Sequence, residues 1–184
     1  METDQTLHAH EGAAIPRGMW TIVPDQSRVA FKVRKMGLYY VKGRFRDLAG
    51  RVDFDLDEQA AGGEFTINAA SISTRMPPRD WHLRTTDFLD VARHPLIRVR
   101  VEGIEPHPTG ELAVAASFEL HGQRRPVELF AHAHATPGPP EAVLLHVRGT
   151  LDRHDFGIRP RLPFEWVVGR EVLLDAELQL ARAE

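Results

Sequence analysis

An all-β antiparallel fold, closed at one end by a short helical plug, is what this sequence predicts. Two observations carry the β reading. Apolar and polar residues alternate with a period of two through most of the chain, which gives each strand one dry face. Gly- and Pro-containing turns separate the segments at short intervals, so eight or nine strands form a barrel or a sandwich. The third observation is one stretch that breaks the rule, Ser71 to Val91 (SISTRMPPRDWHLRTTDFLDV). It begins as strand, stops at Pro77-Pro78 and continues as one or two helical turns near residues 77–92. Trp81, Leu83, Phe88 and Leu89 give it an apolar side; Arg75, Arg79, Asp80, His82, Arg84, Asp87 and Asp90 give it a charged one. Such a segment closes the end of a barrel, dry below and wet above.

Residues 1–18 are polar and rich in small residues, and read as a loose tail before a single domain spanning 19–184. Thr21 to Val23 is a first short strand, stopped by Pro24-Asp25. Ser27 to Lys35 alternates, with Val29, Phe31 and Val33 on one face. Tyr39 to Phe45 follows with Val41 and Phe45 on one side. Gly50 to Leu56 sets Val52, Phe54 and Leu56 against Arg51, Asp53 and Asp55. Gly62-Gly63 turns the chain into Glu64 to Ala70, with Phe65, Ile67 and Ala69 together. Beyond the plug, Ile97 to Val101 places Ile97, Val99 and Val101 on one face. Glu111 to His121 aligns Val114, Ala116 and Phe118. Gly122-Gln123 turns into Pro126 to His134, and the TPGPP run at 136–140 is a rigid connection. Ala142 to Leu151 and Glu171 to Leu180 complete the set.

Composition narrows the function. The chain has 184 residues, no cysteine, and 23 Lys and Arg against 26 Asp and Glu, net -3. That balance excludes non-specific nucleic-acid binding, which needs a strong basic surplus. Disulfides, thiolate nucleophiles and cysteine metal sites are excluded outright. No export signal is read at the N-terminus and no stretch is apolar enough to span a bilayer, so a cytoplasmic protein with transient membrane contact is expected. The motifs GxSxG, HExxH, GxGxxG and the phosphate-binding loop are absent. Asp53, Asp55, Asp57 and Glu64 match places one, three, five and twelve of a calcium loop, but Glu58 stands where that loop needs glycine and the flanks are strands. His132 and His134 share a strand face, and with His121 or His146 they could hold zinc; exposed strand histidines are the commoner reading, and no metal site is predicted. His82 could pair with Asp80 or Asp87 as acid and base, but no nucleophile accompanies them.

An ordered set of blocks closely resembles the YceI-like family of polyisoprenoid-binding, lipocalin-like proteins. It comprises WTIVPDQSRVAF at 20–31, Met36-Gly37, Val41 to Phe45, SISTR at 71–75, RDWHLRTTDFLDV at 79–91, Pro95 and Ile97, LHGQRRPVEL at 120–129 and DRHDFGI at 152–158. Gln26 and Lys35 stand where family members commonly carry histidine. The resemblance implies a lipocalin-like eight-stranded barrel that binds an isoprenoid quinone or prenyl diphosphate non-covalently, without a cofactor, in a family whose members often form dimers.

The strand pattern alone fits a filled core; the resemblance implies a ligand chamber instead. Its wall candidates are Phe31, Val33, Phe45, Phe54, Phe65 and Ile67, then Val99, Val114 and Phe118. Trp81, Leu83 and Phe88 join from the plug, and Phe156 from the 152–158 block. Arg75, Arg79, His82 and Arg84 are candidates for an anionic head group, since the guanidinium fork suits phosphate. The plainer reading is that Arg79, Asp80, Arg84, Asp87 and Asp90 pair among themselves and pin the plug, and that Asp155 accepts hydrogen bonds at a turn. Two alternatives remain open: an enzyme using His82 or His154 on a prenyl lipid, and a stress-related protein with a filled barrel.

Overall fold

The computed structural model describes residues 15, 17–54, 62–136 and 141–183. The tail at 1–14, the 55–61 part of the calcium-like hairpin and residues 137–140 lie outside them.

Ten β segments form one sheet: β1 (Met19–Ile22), β2 (Arg28–Lys35), β3 (Tyr39–Phe45), β4 (Leu48–Asp53), β5 (Gly62–Asn68), β6 (Leu96–Pro106), β7 (Leu112–Leu120), β8 (Gln123–Thr136), β9 (Ala142–Asp152) and β10 (Val168–Arg182). All pairings are antiparallel, and the order β1-β4-β5-β6-β7-β8-β9-β10-β2-β3 is closed by a second contact of β1 with β10. The ring has eight staves, because β1 with β2 and β3 with β4 are each one stave broken by a kink. Barrel, not sandwich, is the outcome that alternation left open.

The first kink is written in Pro24, whose ring removes a ladder donor. A 3-10 turn, Pro24–Gln26, takes its place. Ser27 stitches the kink to β10: its hydroxyl donates to Val23 O at 2.8 Å and accepts from Gln179 N at 3.0 Å. The 15-residue β10 therefore pairs with β2 along its first part and with β1 at Leu180–Arg182. The second kink falls at Arg46-Asp47. Ser73 enters the seam there, exchanging backbone bonds with Arg44 at 3.0 and 2.8 Å, while Ser71 Oγ accepts from the Arg46 and Asp47 amides.

Closure at the far end comes from Trp20, Val52, Val143 and Leu180, all essentially without solvent exposure. At the near end the plug is a 3-10 turn, Ala69–Ser71, and a helix α1, Pro77–Arg84. Pro77 and Pro78 occupy the first helical turn, where a missing N–H costs nothing and the fixed φ is already helical. Thr85 ends the helix, its N–H and hydroxyl both donating to His82 O. A second loop, 153–167, ends in the short helix α2 (Phe164–Val167) and lies beside the plug. No described helix is long and apolar enough to cross a membrane.

β6 runs five residues past the sequence-derived end at Val101, through a bulge between Val101 and Gly103. A bulge adds one residue and switches the side-chain parity, which brings Ile104 inward and explains why a strict period of two stopped short.

Candidate functional site

The inward faces enclose a cavity of about 250 Å³. A single buried water needs only about 10–15 Å³, so the barrel is not filled. Eleven of the thirteen sequence-derived wall candidates line the cavity: Phe31, Val33, Phe45, Phe54, Phe65, Ile67, Leu83, Phe88, Val99, Val114 and Phe118. The plug closes it with Ile72, Leu83, Phe88 and Leu89.

Trp81 and Phe156 are elsewhere. Trp81 is 68% exposed, which corrects its assignment to the apolar side of the plug. At about 100° per residue, positions 81 and 83 point in nearly opposite directions. Leu83 faces in, so Trp81 faces water, and the residue that shares the inner side with Leu83 is Asp80, three positions earlier. Phe156 is buried at 1% exposure but packs in the core without lining the cavity.

Asp80 is the centre of the plug's anchorage. Its Oδ1 accepts from Thr74 N at 2.7 Å and from the Thr74 hydroxyl. Arg79 donates to Thr74 Oγ1 and O at 2.7 and 3.0 Å; Arg84 donates to Ala70 O and Ile72 O at 2.8 and 3.0 Å. The charged residues do pin the plug, but mainly to the 70–74 segment, not in pairs with one another. Asp80 and Thr74 are both buried. Asp80→Ala leaves the Thr74 N–H and hydroxyl without their acceptor, and we expect a loss of about 3 kcal/mol, read as a lower denaturant midpoint at unchanged slope. Arg79→Ala, which removes two donors from Thr74, should lower the denaturant midpoint as well, by less than Asp80→Ala does.

None of the four head-group candidates lines the cavity. Arg79 and Arg84 are engaged as above, Arg75 is exposed at a positive φ of 61°, and His82 faces Asp87 at 3.2 Å. His82 also packs edge-on against Phe88 and, at 4.8 Å, against Phe164. With the Arg161–Asp87 ion pair at 3.4 Å, this contact latches α1 to the second loop.

Arg153 is the one charged residue lining the cavity among the described residues, and sequence reasoning missed it although it lies inside the DRHDFGI block. The residue is 3% exposed. It donates to Gly169 O, Ile158 O and Val168 O at 3.0, 2.7 and 2.8 Å, and to Glu165 Oε2 at 3.0 Å. His154 Nε2 lies 2.7 Å from Glu165 Oε1 but has no well-aligned hydrogen bond. The turn acceptor in this block is Asp152, which takes His154 N at 2.8 Å; Asp155 is exposed.

Burial pushes the Glu165 carboxyl up, but the Arg153 hydrogen bond and the charges of Arg153 and His154 outweigh it and hold it below the ordinary glutamate value. Its stabilisation is therefore complete above the unfolded value of about 4.3 and is lost as pH falls through the depressed folded value. Acidification should cost the wild type more melting temperature than it costs Glu165→Gln, in thermal melts compared between neutral pH and about pH 3.

The candidate zinc histidines do not converge. His132 sits opposite His146 across β8 and β9. His132 contacts Glu111, whose carboxyl Arg148 holds low through hydrogen bonds of 2.7 to 3.0 Å. His146 faces Asp175 at 3.4 Å. His121 is at the other end of the barrel, its Nδ1 3.1 Å from Phe156 O. No group of three or more metal-binding side chains forms among the described residues.

The comparisons agree with this architecture. A model of the YceI-like domain matches residues 20–180. A UPF0312 protein of Shewanella sp. (strain ANA-3) is 31% identical over 106 residues, 57% of this chain and 56% of the relative. A UPF0312 protein of Vibrio cholerae is 27% identical over 156 residues, 83% and 79% of the two chains. The chain thus spans little more than half the length of the Shewanella relative. Among solved structures, Burkholderia cenocepacia BcnA superposes with a TM-score of 0.74 at 17% identity, covering 86% of this chain and 98% of that one. A polyisoprenoid binding domain from Saccharophagus degradans, implicated in plant cell wall breakdown, gives 0.71 at 14% identity, with 89% and 98% covered. These identities establish a shared fold. With the family match running through nearly all of the barrel, the chain belongs to the YceI-like family.

Proposed function

We propose that the protein is a non-enzymatic carrier that holds a long apolar chain of isoprenoid type inside the barrel, without a cofactor. The observation that carries this reading is the cavity: about 250 Å³, walled by aliphatic and aromatic side chains, with a single charged lining residue among those described. The Saccharophagus degradans neighbour supports the ligand class.

The wall argues for an uncharged head group. Arg153 is saturated by carbonyls and Glu165, so it offers no free charge to a buried diphosphate. A buried anion without a partner costs several kcal/mol. An isoprenoid quinone meets no such cost, whereas a prenyl diphosphate must keep its head outside the barrel.

Burying one isoprene unit from water gains roughly 3 to 4 kcal/mol at about 0.8 kcal/mol per CH₂. From a bilayer the gain is small, because the chain leaves one apolar medium for another. The protein therefore exchanges its cargo and does not trap it.

Native mass spectrometry of freshly purified protein, with extraction and identification of what is released, tests the proposal. Stripped protein is then offered an isoprenoid quinone and a prenyl diphosphate of equal chain length. The expected result is a bound isoprenoid and tighter quinone binding. Protein that is empty as purified and refuses both compounds overturns the reading.

A further inference from the structure

The near end of the barrel carries apolar side chains that the fold leaves in water. Leu38, at the β2–β3 tip, and Trp166, in α2, are each 81% exposed. Met36, Leu162 and Trp81 are also exposed, and so is Phe164 to a lesser degree. These residues belong to one end. Met36 N donates to Val167 O at 2.7 Å, joining the hairpin tip to α2. Phe164 packs on His82, the neighbour of Trp81 in α1. Three separate segments thus place apolar tips around the plug.

The same end is basic. Segments 34–47, 69–95 and 152–171 hold thirteen Lys and Arg against eight Asp and Glu, net +5, in a chain of net -3. Most of the acids there are already engaged: Asp87 with Arg161 and His82, Asp90 with Arg93, Glu165 with Arg153, and Asp47 with Asn68. Asp80 is held by Thr74, and Glu171 lies near Arg34. Asp155 is exposed. Lys35, Arg75 and Arg159 have no acidic partner among the described residues.

We infer that this end is a docking surface for an anionic lipid bilayer, with the Leu38 and Trp166 tips entering the headgroup layer and Lys35, Arg75 and Arg159 facing lipid phosphates. Two features favour a bilayer over a second copy of the chain. Two net-positive faces repel, whereas an anionic surface complements them. The apolar side chains stand on separate loop tips, with tryptophan prominent, as at membrane interfaces. The inference rests on the carrier reading for its purpose: docking would bring the plug and the 153–167 loop, which together close the cavity, onto the membrane that supplies the chain.

The test is co-sedimentation of the full chain with vesicles of phosphatidylcholine plus phosphatidylglycerol, and with phosphatidylcholine alone. Leu38→Glu/Trp166→Glu should weaken binding to the anionic vesicles by about tenfold or more. Lys35→Glu should weaken it in low salt with little effect in high salt. Leu144→Glu, on the outer side of β9, should bind as the wild type does. Uptake of an isoprenoid quinone from detergent micelles, measured on the same variants, should be unchanged, which also shows that they are folded. Wild-type protein that ignores anionic vesicles, or a double variant that binds them normally, overturns the docking surface. So does a double variant whose only change is from dimer to monomer. Vesicle binding lost in the double variant, from a wild type that is empty as purified and takes up neither quinone nor prenyl diphosphate, leaves the docking surface standing and sinks the carrier.

Discussion

Loading the empty protein with an isoprenoid quinone should raise its melting temperature by at least about 10 °C. The argument runs through the cavity. Unfilled apolar space costs about 24 cal/mol per Å³ in a folded protein, so about 250 Å³ corresponds to roughly 6 kcal/mol. For a domain of this size, 1 kcal/mol moves the midpoint by about 2–4 °C, giving about 12–24 °C in full. Ordering a flexible chain inside the barrel takes back part of this, hence the lower bound. Differential scanning calorimetry on stripped and reloaded samples reads the shift directly. A change under about 3 °C would mean that the barrel collapses on itself when emptied, and the cavity would then not be a chamber built to hold anything. Prenyl diphosphate should give a smaller shift than the quinone, because its head must remain outside.

Alternation carried most of the architecture because strand parity is a local property. Val29, Phe31 and Val33 face inward for the same reason that Arg28, Lys32 and Arg34 face out, and the sequence displays both. Two features were beyond it. Closure depends on β10 reaching past β2 to β1, a pairing between chain ends that no local pattern encodes. The bulge in β6 switched parity at Glu102, so Ile104 was invisible to a strict period of two. In the plug, charge and apolarity do not by themselves reveal the helical angle that sets which side chains face in. Asp80 reads correctly as a pinning residue, but Trp81 reads as a companion of Leu83, and neither the burial of Asp80 nor its partner Thr74, six residues earlier, is legible. Arg153 is hidden for a different reason: its partners Ile158 and Glu165 lie in the second loop and Val168 and Gly169 at the start of β10, up to 16 residues away.

Gly43→Ala should shorten the chain that the barrel accepts while leaving the fold intact. Gly43 lies opposite Phe31 in the β2–β3 ladder, on the inward face between Val41 and Phe45. A Cβ built there would stand 2.3 Å from Phe31 Cζ and 2.7 Å from Cε1. The outer edge of the Phe31 ring therefore lies over the space that glycine leaves. Glycine in a strand weakens it unless something approaches closely, and here the approach is by an aromatic ring of the cavity wall. Alanine forces that ring off the wall and into the lumen. Because the nearest obstruction is the far end of a side chain and not backbone, the barrel can accommodate the change. Gly50 is a poorer site for the same experiment, since its Cβ would also meet Glu64 O at 2.8 Å and Phe65 Cα at 2.9 Å. Excluding even part of one isoprene unit should cost at least about 1.4 kcal/mol, a tenfold loss for the longest quinone, with a short-chain quinone bound nearly as before. Titration of a chain-length series against both proteins measures it. Equal affinity of wild type and Gly43→Ala across the whole series would show that the chain does not pass Phe31, and would confine the cargo to the part of the cavity away from β2 and β3.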